Sequence, residues 1–410
     1  MTLTNNSTAT LREMARIAMN KALYEEYVKE LKLDFEKPDS LMNKIKLCSY
    51  LVCCGASVEL KSYPLNNKDF RTGNTGLQLT VGNPYLRALI PSFYMEKDNP
   101  LKIKGSYVTK KAVIEYAGEI LFEITILPDM ETGNDNVSFE FETLIAAIPE
   151  KPYGIRNCYY HNIGKPCAFC ILTKKKVNLG PQDLVTAYNG IAENTGIEPQ
   201  ILLTGGNNRQ KDRGLSKYIP YVKELRKHFK RAKIAIEAAP PKDILFLDAL
   251  IDLGMDTFAA NIEFFSTKAK EKFLPGKSEI ELEEYEDAFN YCQKANVRTF
   301  SALIAGPETE EATLKGVEYL SKIGVPTNFL CLRPFPGSHL ENYPRINPAW
   351  FLKLTKKALM IMEQYDVLDD LSNTAGCGSC GACSIEMNLS RLLKNTKDEE
   401  LYNFMLSKEF

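Results

Sequence analysis

The pattern of apolar positions changes character twice along the chain. Over residues 11–51 apolar side chains recur at helical spacing (Met14, Ile17, Ala18, Ala22, Tyr24), as on a helix with one buried face. Over residues 55–140 short β-rich runs take over, such as Leu77–Val81 and Ile120–Ile124, broken by Gly, Pro and Asn-Asp turn signals. From Thr143 a regular alternation sets in. Apolar runs at Leu144–Ile148, Ile201–Thr204, Ile234–Glu237, Phe258–Ile262, Thr299–Ile304 and Asn328–Leu332 read as strands. Between them Pro181–Asn194, Lys217–Phe229, Asp243–Leu253, Glu281–Lys294 and Glu310–Ile323 read as helices.

Strand–helix alternation carried through six strands predicts an α/β fold with a parallel sheet and right-handed crossovers. A six-fold count points to an open or partial barrel rather than a closed eight-fold one. Ligands of such folds sit at the C-terminal ends of the strands. Three regions are expected: an accessory region over 1–140, helical then β-rich; a partial (β/α)6 barrel over 141–345; and a C-terminal helical extension over 346–410 with a second cysteine cluster.

Composition narrows the classes of function. A net charge of −1 with 25% charged residues gives no pull toward nucleic acid or an anionic membrane, and neither is an expected partner. Met1–Thr10 is polar and lacks the apolar core of a signal peptide, and no window reaches the ~18 apolar residues of a membrane span. A cytoplasmic chain with reduced thiols is expected. Its 11 cysteines then need an explanation other than a disulfide framework.

Six of them fall in two tight groups. The first, Cys158-Tyr-Tyr-His-Asn-Ile-Gly-Lys-Pro-Cys167-Ala-Phe-Cys170, follows shortly after the first strand of the alternation. Three thiolates on one loop can bind three irons of a four-iron cluster and leave the fourth open to a small molecule. A structural zinc wants four protein ligands, and His161 could complete such a set. The second group, Cys377-Gly-Ser-Cys380-Gly-Ala-Cys383, has glycines that let backbone wrap a metal. It suits an auxiliary iron–sulfur cluster, with zinc or a mononuclear iron as the competing reading. A fourth ligand could come from Cys48, Cys53, Cys54, Cys292 or Cys331, or from substrate. Of these, Cys292 on a helix and Cys331 in a strand read rather as small buried hydrophobes than as ligands.

The segment Cys167-Ala168-Phe169-Cys170 resembles the radical S-adenosylmethionine (SAM) superfamily. There, three cysteines sit on the loop after the first strand of a six-fold βα barrel, with an aromatic residue before the last. The eight-residue first gap departs from the usual three. Leu203-Thr204-Gly205-Gly206-Asn207 resembles the family's Gly-Gly-Glu segment, which receives the SAM amino group, with Asn207 in place of the acid. Asn261-Ile262-Glu263 is similar to the Asn-Leu-Asp segment of biotin synthase, and alternation along a strand would point both polar side chains to one face. Ala302-Leu303-Ile304-Ala305-Gly306 resembles the Gly-x-Ile-x-Gly segment beside adenine. The run Arg333-Pro-Phe-Pro-Gly337 resembles the end of the sixth strand in the biotin synthase group, where Arg333 could clamp a carboxylate. Glu237, ending the third strand, is a looser candidate for SAM or substrate contact.

The resemblance covers roughly half the chain and is closest to the biotin synthase and lipoyl synthase-like group. It implies a four-iron cluster on Cys158, Cys167 and Cys170, bound SAM, and reductive cleavage to a 5′-deoxyadenosyl radical that takes hydrogen from a substrate carbon. It implies a small-molecule or carrier-bound substrate and an electron donor such as ferredoxin or flavodoxin. Sulfur insertion in cofactor or small-molecule biosynthesis is the leading expectation. Radical modification or methylation of a peptide or protein is the runner-up, with the β-rich region as recognition module. A non-catalytic iron–sulfur or zinc protein is the third.

Overall fold

The computed structural model describes residues 20–34, 37, 39–63, 76–82, 86–127, 132–171 and 175–407. The positions Met14, Ile17 and Ala18 lie outside the described residues. The helical pattern continues past them as a helix through residues 20–30 and a second one over Leu41–Cys54. The β-rich stretch forms a six-stranded sheet of β1 (Ser57–Lys61), β2 (Gly76–Val81), β3 (Arg87–Pro91), β4 (Leu101–Ser106), β5 (Lys111–Tyr116) and β6 (Glu119–Leu127), in the order β1-β4-β5-β6-β2-β3.

The alternating region forms the second sheet. Its strands are β7 (Val137–Glu140), β8 (Thr143–Ala147), β11 (Gln200–Thr204), β12 (Ile234–Glu237), β13 (Thr257–Ala259), β14 (Arg298–Ala305) and β15 (Thr327–Cys331). The short pair β9 (Ile155–Arg156) and β10 (Lys175–Lys176) lies apart from it. Six of its strands run parallel in the order β15-β14-β13-β12-β11-β8, and β7 adds an antiparallel edge. The helices Pro181–Thr195, Ile219–His228, Asp248–Asp252, Leu282–Lys294 and Glu310–Lys322 follow successive strands. This is the expected partial (β/α)6 barrel.

The two faces of the parallel strands are both apolar, as a sheet covered on both sides requires. Ile201, Leu203, Ile234, Ile236 and Phe258 join the main core with the helices. Leu202, Ala235, Ala259 and Phe300 face the other way and pack on Ala375, Cys377, Leu371 and Met387. The barrel interior is therefore filled by the segment around Cys377. Gln200 and Thr257, at the starts of β11 and β13, fix that segment: Gln200 Oε1 accepts from Gly376 N at 3.2 Å and Ser379 Oγ at 2.8 Å, and Thr257 Oγ1 accepts from Ala375 N at 2.9 Å.

An open barrel leaves a seam between β15 and β7, and unpaired strand edges need cover. Ser384 bridges Leu330 of β15 in antiparallel fashion. The Ala382 carbonyl accepts from Leu89 N of β3 at 3.0 Å. On β2, Gln78 donates to the Phe139 carbonyl at 3.0 Å and accepts from Phe141 N at 2.8 Å. The second cysteine segment and the N-terminal sheet thus close the seam together.

One strand ends earlier than its apolar run. β13 stops at Ala259, so the expected strand through Ile262 is three residues too long. Asn261 spends its side-chain oxygen on Ala302 N at 3.0 Å, and Glu263 sits at φ +59. Strand alternation does not place these two side chains, because the backbone has left the extended region. The second cysteine group also differs from a plain loop, since Cys377–Cys380 forms one helical turn before the helices Glu386–Asn395 and Glu399–Leu406.

Candidate active site

The first cysteine loop leaves the barrel after β8 and folds back on the end of β11. Cys158 precedes a single helical turn, Tyr159–Asn162, whose first amide donates to the Asn207 carbonyl at 2.7 Å. A Cβ on Gly206 would stand 2.2 Å from the Asn157 carbonyl oxygen and 2.6 Å from Cys158 Cβ, so only glycine admits this contact. Cys170 N closes a turn on the Cys167 carbonyl at 3.0 Å. All three cysteines are half-buried. Burial, and after it the Glu263 carboxylate, pushes the Cys167 thiol up, and the thiols of Cys170 and Cys158 add to that. The three sulfurs are close enough to interact electrostatically. Among the described residues no three His, Cys, Asp or Glu side chains close on a single-ion position. His161 lies in the same helical turn, its Nε2 buried without a hydrogen-bond partner.

A second segment braces this loop, and its importance was not legible in the sequence. Ala168 N donates to the Phe273 carbonyl at 2.7 Å, and a Cβ on Gly276 would stand 2.4 Å from the Tyr160 ring and 2.6 Å from the Lys165 carbonyl oxygen. This close approach sets the next residue, Lys277, inside the site. Its Nζ contacts both Glu263 oxygens at 2.7 and 2.6 Å and also donates to the Asn261 carbonyl. Burial works against the ammonium, but Glu263 holds its proton firmly, so the pair is charged. The Pro275-Gly276 pair ahead of the lysine was the available signal.

The remaining candidates gather at neighbouring strand ends. Thr204 Oγ1 lies 3.5 Å from Glu237 Oε1, whose carboxyl burial pushes up, with Glu263 adding repulsion. Phe169 meets Phe264 edge-on at 6.3 Å between ring centroids. Phe169, Ile304, Arg333 and Cys383 line an apolar cavity of about 220 Å³ with Leu330 and Leu332. Gly306, at φ +122, turns instead toward the segment beyond the barrel, where its carbonyl accepts from Tyr343 Oη at 2.9 Å.

The second cysteine group reaches this cavity from the barrel interior. Arg333 Nη1 donates to Cys383 Sγ at 3.3 Å and Nη2 to the Leu89 carbonyl at 3.0 Å. Cys380 is 6% exposed and burial pushes its thiol up to about 12. Cys377 is also pushed up, by burial first and then by Glu237. Of the suggested fourth ligands, Cys331 lines the same cavity as Cys383, while Cys48, Cys53, Cys54 and Cys292 are fully buried. Thiols this deep are poor anions unless a cation joins them.

No protein-family model matches the chain, and no curated protein matches it. Solved structures do resemble part of it. The radical SAM methyltransferase TsrM from Kitasatospora setae, bound to tryptophan and aza-SAM, is 17% identical with a TM-score of 0.36, covering 48% of this chain and 37% of its own. The coproporphyrinogen III oxidase HemN from Escherichia coli, a radical SAM enzyme, is 18% identical with a TM-score of 0.36, covering 53% and 54%. The [FeFe]-hydrogenase maturase HydG is 16% identical with a TM-score of 0.41, covering 54% and 50%. The likeness spans between 37% and 54% of the length of these chains. Among the described residues no helix is long and apolar enough to cross a membrane.

Proposed function

We propose that this chain is a radical SAM enzyme of the cytoplasm. The observation that carries the reading is the seating of the Cys158–Cys170 loop. It leaves the first of six parallel strands and packs through Cys158 onto Gly206 at the end of the second. Cys158 and Cys170 both act electrostatically on Cys167, and three thiols on one loop are the donor set of a four-iron cluster with one open iron. When bound, the cluster and SAM supply a 5′-deoxyadenosyl radical able to take hydrogen from an unactivated carbon. The chain's own residues have the remaining tasks. Cys158, Cys167 and Cys170 would hold the irons, and the half-buried Gly205–Gly206 backbone, packed directly on Cys158, lies beside the cluster loop without a side chain of its own. Phe169 and Ile304 offer an apolar wall to adenine, and the buried Lys277–Glu263 pair holds the strand-four turn in place. The apolar lining of the cavity disfavours water beside a reactive intermediate.

For the reaction served, sulfur insertion into a small-molecule or carrier-bound substrate is the reading we favour. The second cysteine group supports it as an auxiliary iron–sulfur site, because Cys383 lines the same cavity as Phe169. An electron carrier such as ferredoxin or flavodoxin would supply the reducing electron. Anaerobic reconstitution followed by dithionite and SAM should yield 5′-deoxyadenosine, and no product above a Cys170→Ala control would sink the enzymatic reading. Sulfide counted per chain before and after one turnover tests the donor role; full retention after product forms argues against it.

A further inference from the structure

Behind the Gly205–Gly206 pair lies a cavity of about 560 Å³ that none of the above uses. The two glycines present their Cβ positions to different neighbours: Gly206 to Asn157 and Cys158, Gly205 to Lys217 Nζ at 2.8 Å and the Ile148 carbonyl oxygen at 2.9 Å. The backbone of Gly205–Gly206 therefore separates the cavity from the cysteine loop. Its lining includes Lys217, Lys151 and Lys211, the carboxylate of Glu150, and an apolar rim of Pro152 and Phe246.

Lys217 is 8% exposed. Its ammonium donates to the Gly206 carbonyl and lies 5.0 Å from the Tyr218 ring centroid, and among the described residues no carboxylate stands within ion-pairing distance. The nearest acid on its own loop, Asp212, is committed to the amides of Gly214 at 3.1 Å and Ser216 at 2.9 Å. A buried cation normally has a paired anion, because leaving it unpaired costs several kcal/mol, on the order of the desolvation penalty. Lys277, across the barrel mouth, obeys that rule through Glu263; Lys217 does not. Burial pulls its pKa down to about 8, and the more distant Glu150, Cys158 and Asp212 offset this only in part. Two further lysines, Lys151 and Lys211, line the same cavity, so its cations outnumber the carboxylates of Glu150 and Asp212 and its potential favours an anion.

We propose that this cavity binds the anionic end of a small ligand, a carboxylate or phosphate, on Lys217, with the body of the ligand against Phe246. The site lies at the C-terminal ends of β8 and β11, where parallel barrels bind their ligands. It stands whether or not the cysteine loop carries a cluster.

The test uses the full-length chain and calorimetric titration with inorganic phosphate and, separately, succinate, each against chloride at matched ionic strength. Saturable binding of either anion in the wild type, weakened at least tenfold in Lys217→Met, is the expected result. Phosphate-only binding assigns a phosphate ligand and succinate-only binding a carboxylate. Should Lys217→Met fail to fold, acetic anhydride labelling of the wild type with peptide mapping replaces it. The bound anion should then protect Lys217 selectively over Lys223, on the following helix. No binding beyond chloride, binding unchanged in Lys217→Met, or labelling of Lys217 unaffected by anion overturns the proposal.

Discussion

Arg333 donates to Cys383 Sγ at 3.3 Å, and this contact joins the end of the sixth parallel strand to the second cysteine group. The same guanidinium holds the Leu89 carbonyl of the N-terminal sheet at 3.0 Å. One side chain therefore ties three regions together at the barrel seam. Arg333→Met removes both donors and leaves a buried carbonyl unsatisfied, a loss of about 1–3 kcal/mol. Chemical denaturation should show it. Iron bound per chain should fall to that of a Cys377→Ser/Cys380→Ser/Cys383→Ser variant; iron equal to wild type would contradict the placement.

The Lys277–Glu263 pair predicts a sharper cost. Both side chains are nearly buried, at 8% and 12% exposed. Lys277→Met strands a buried carboxylate and should destabilise by about 3–5 kcal/mol. Adding Glu263→Gln should recover most of that loss, since the orphaned charge disappears. Equal stability of the single and double variants would mean that the pair is not coupled.

Two glycines make a matched comparison. Gly206→Ala drives a Cβ into the Asn157 carbonyl and Cys158 Cβ, at 2.2 and 2.6 Å. Overpacking of this kind costs roughly 1–3 kcal/mol and should displace the cysteine loop, reducing iron at the first site. Gly190, inside the helix Pro181–Thr195, has nothing within 4 Å of its Cβ position. Gly190→Ala should stabilise by about 1 kcal/mol through helix propensity alone, with iron content unchanged.

Glu386 sets a pH dependence. It is fully buried, its Oε1 accepting from Phe329 N at 3.0 Å, and burial raises its carboxyl from the ordinary 4.5 to about 7. The native state then holds the proton more tightly than the unfolded chain. Its contribution is fully present below 4.5 and is lost as pH rises toward 7. The loss reaches about 3 kcal/mol above that window, at about 1.4 kcal/mol per unit. Glu386→Gln should match wild type at pH 4 and exceed it at pH 8 in urea denaturation. A constant difference at both pH values would contradict the assignment.

The barrel was largely legible in the chain because its strands are short, buried on both faces and separated by periodic helices. The Ile234–Glu237 strand matches end to end, and the helix over Glu310–Lys322 differs from its expected span by one residue. The run Phe258–Ile262 exceeds the strand because Ala260 and Ile262 are buried without joining the ladder, which ends at Ala259. Lys217 carries no local mark that separates a buried lysine from a solvated one, and Lys277 carries only the Pro275-Gly276 pair ahead of it. Seam closure by Leu89, Gln78 and Ala382 depends on pairings between residues 61 to 293 positions apart, which no local pattern records.

The central claim is that Cys158, Cys167 and Cys170 hold a cluster with one iron open to SAM. Electron paramagnetic resonance of the reconstituted, dithionite-reduced protein tests it most directly. Adding SAM should shift the cluster signal in the wild type and in the variant with Cys377, Cys380 and Cys383 replaced by serine, and adding Cys170→Ala to that serine variant should abolish both signal and shift. A signal that ignores SAM, or that survives Cys170→Ala in the serine variant unchanged, would contradict the account.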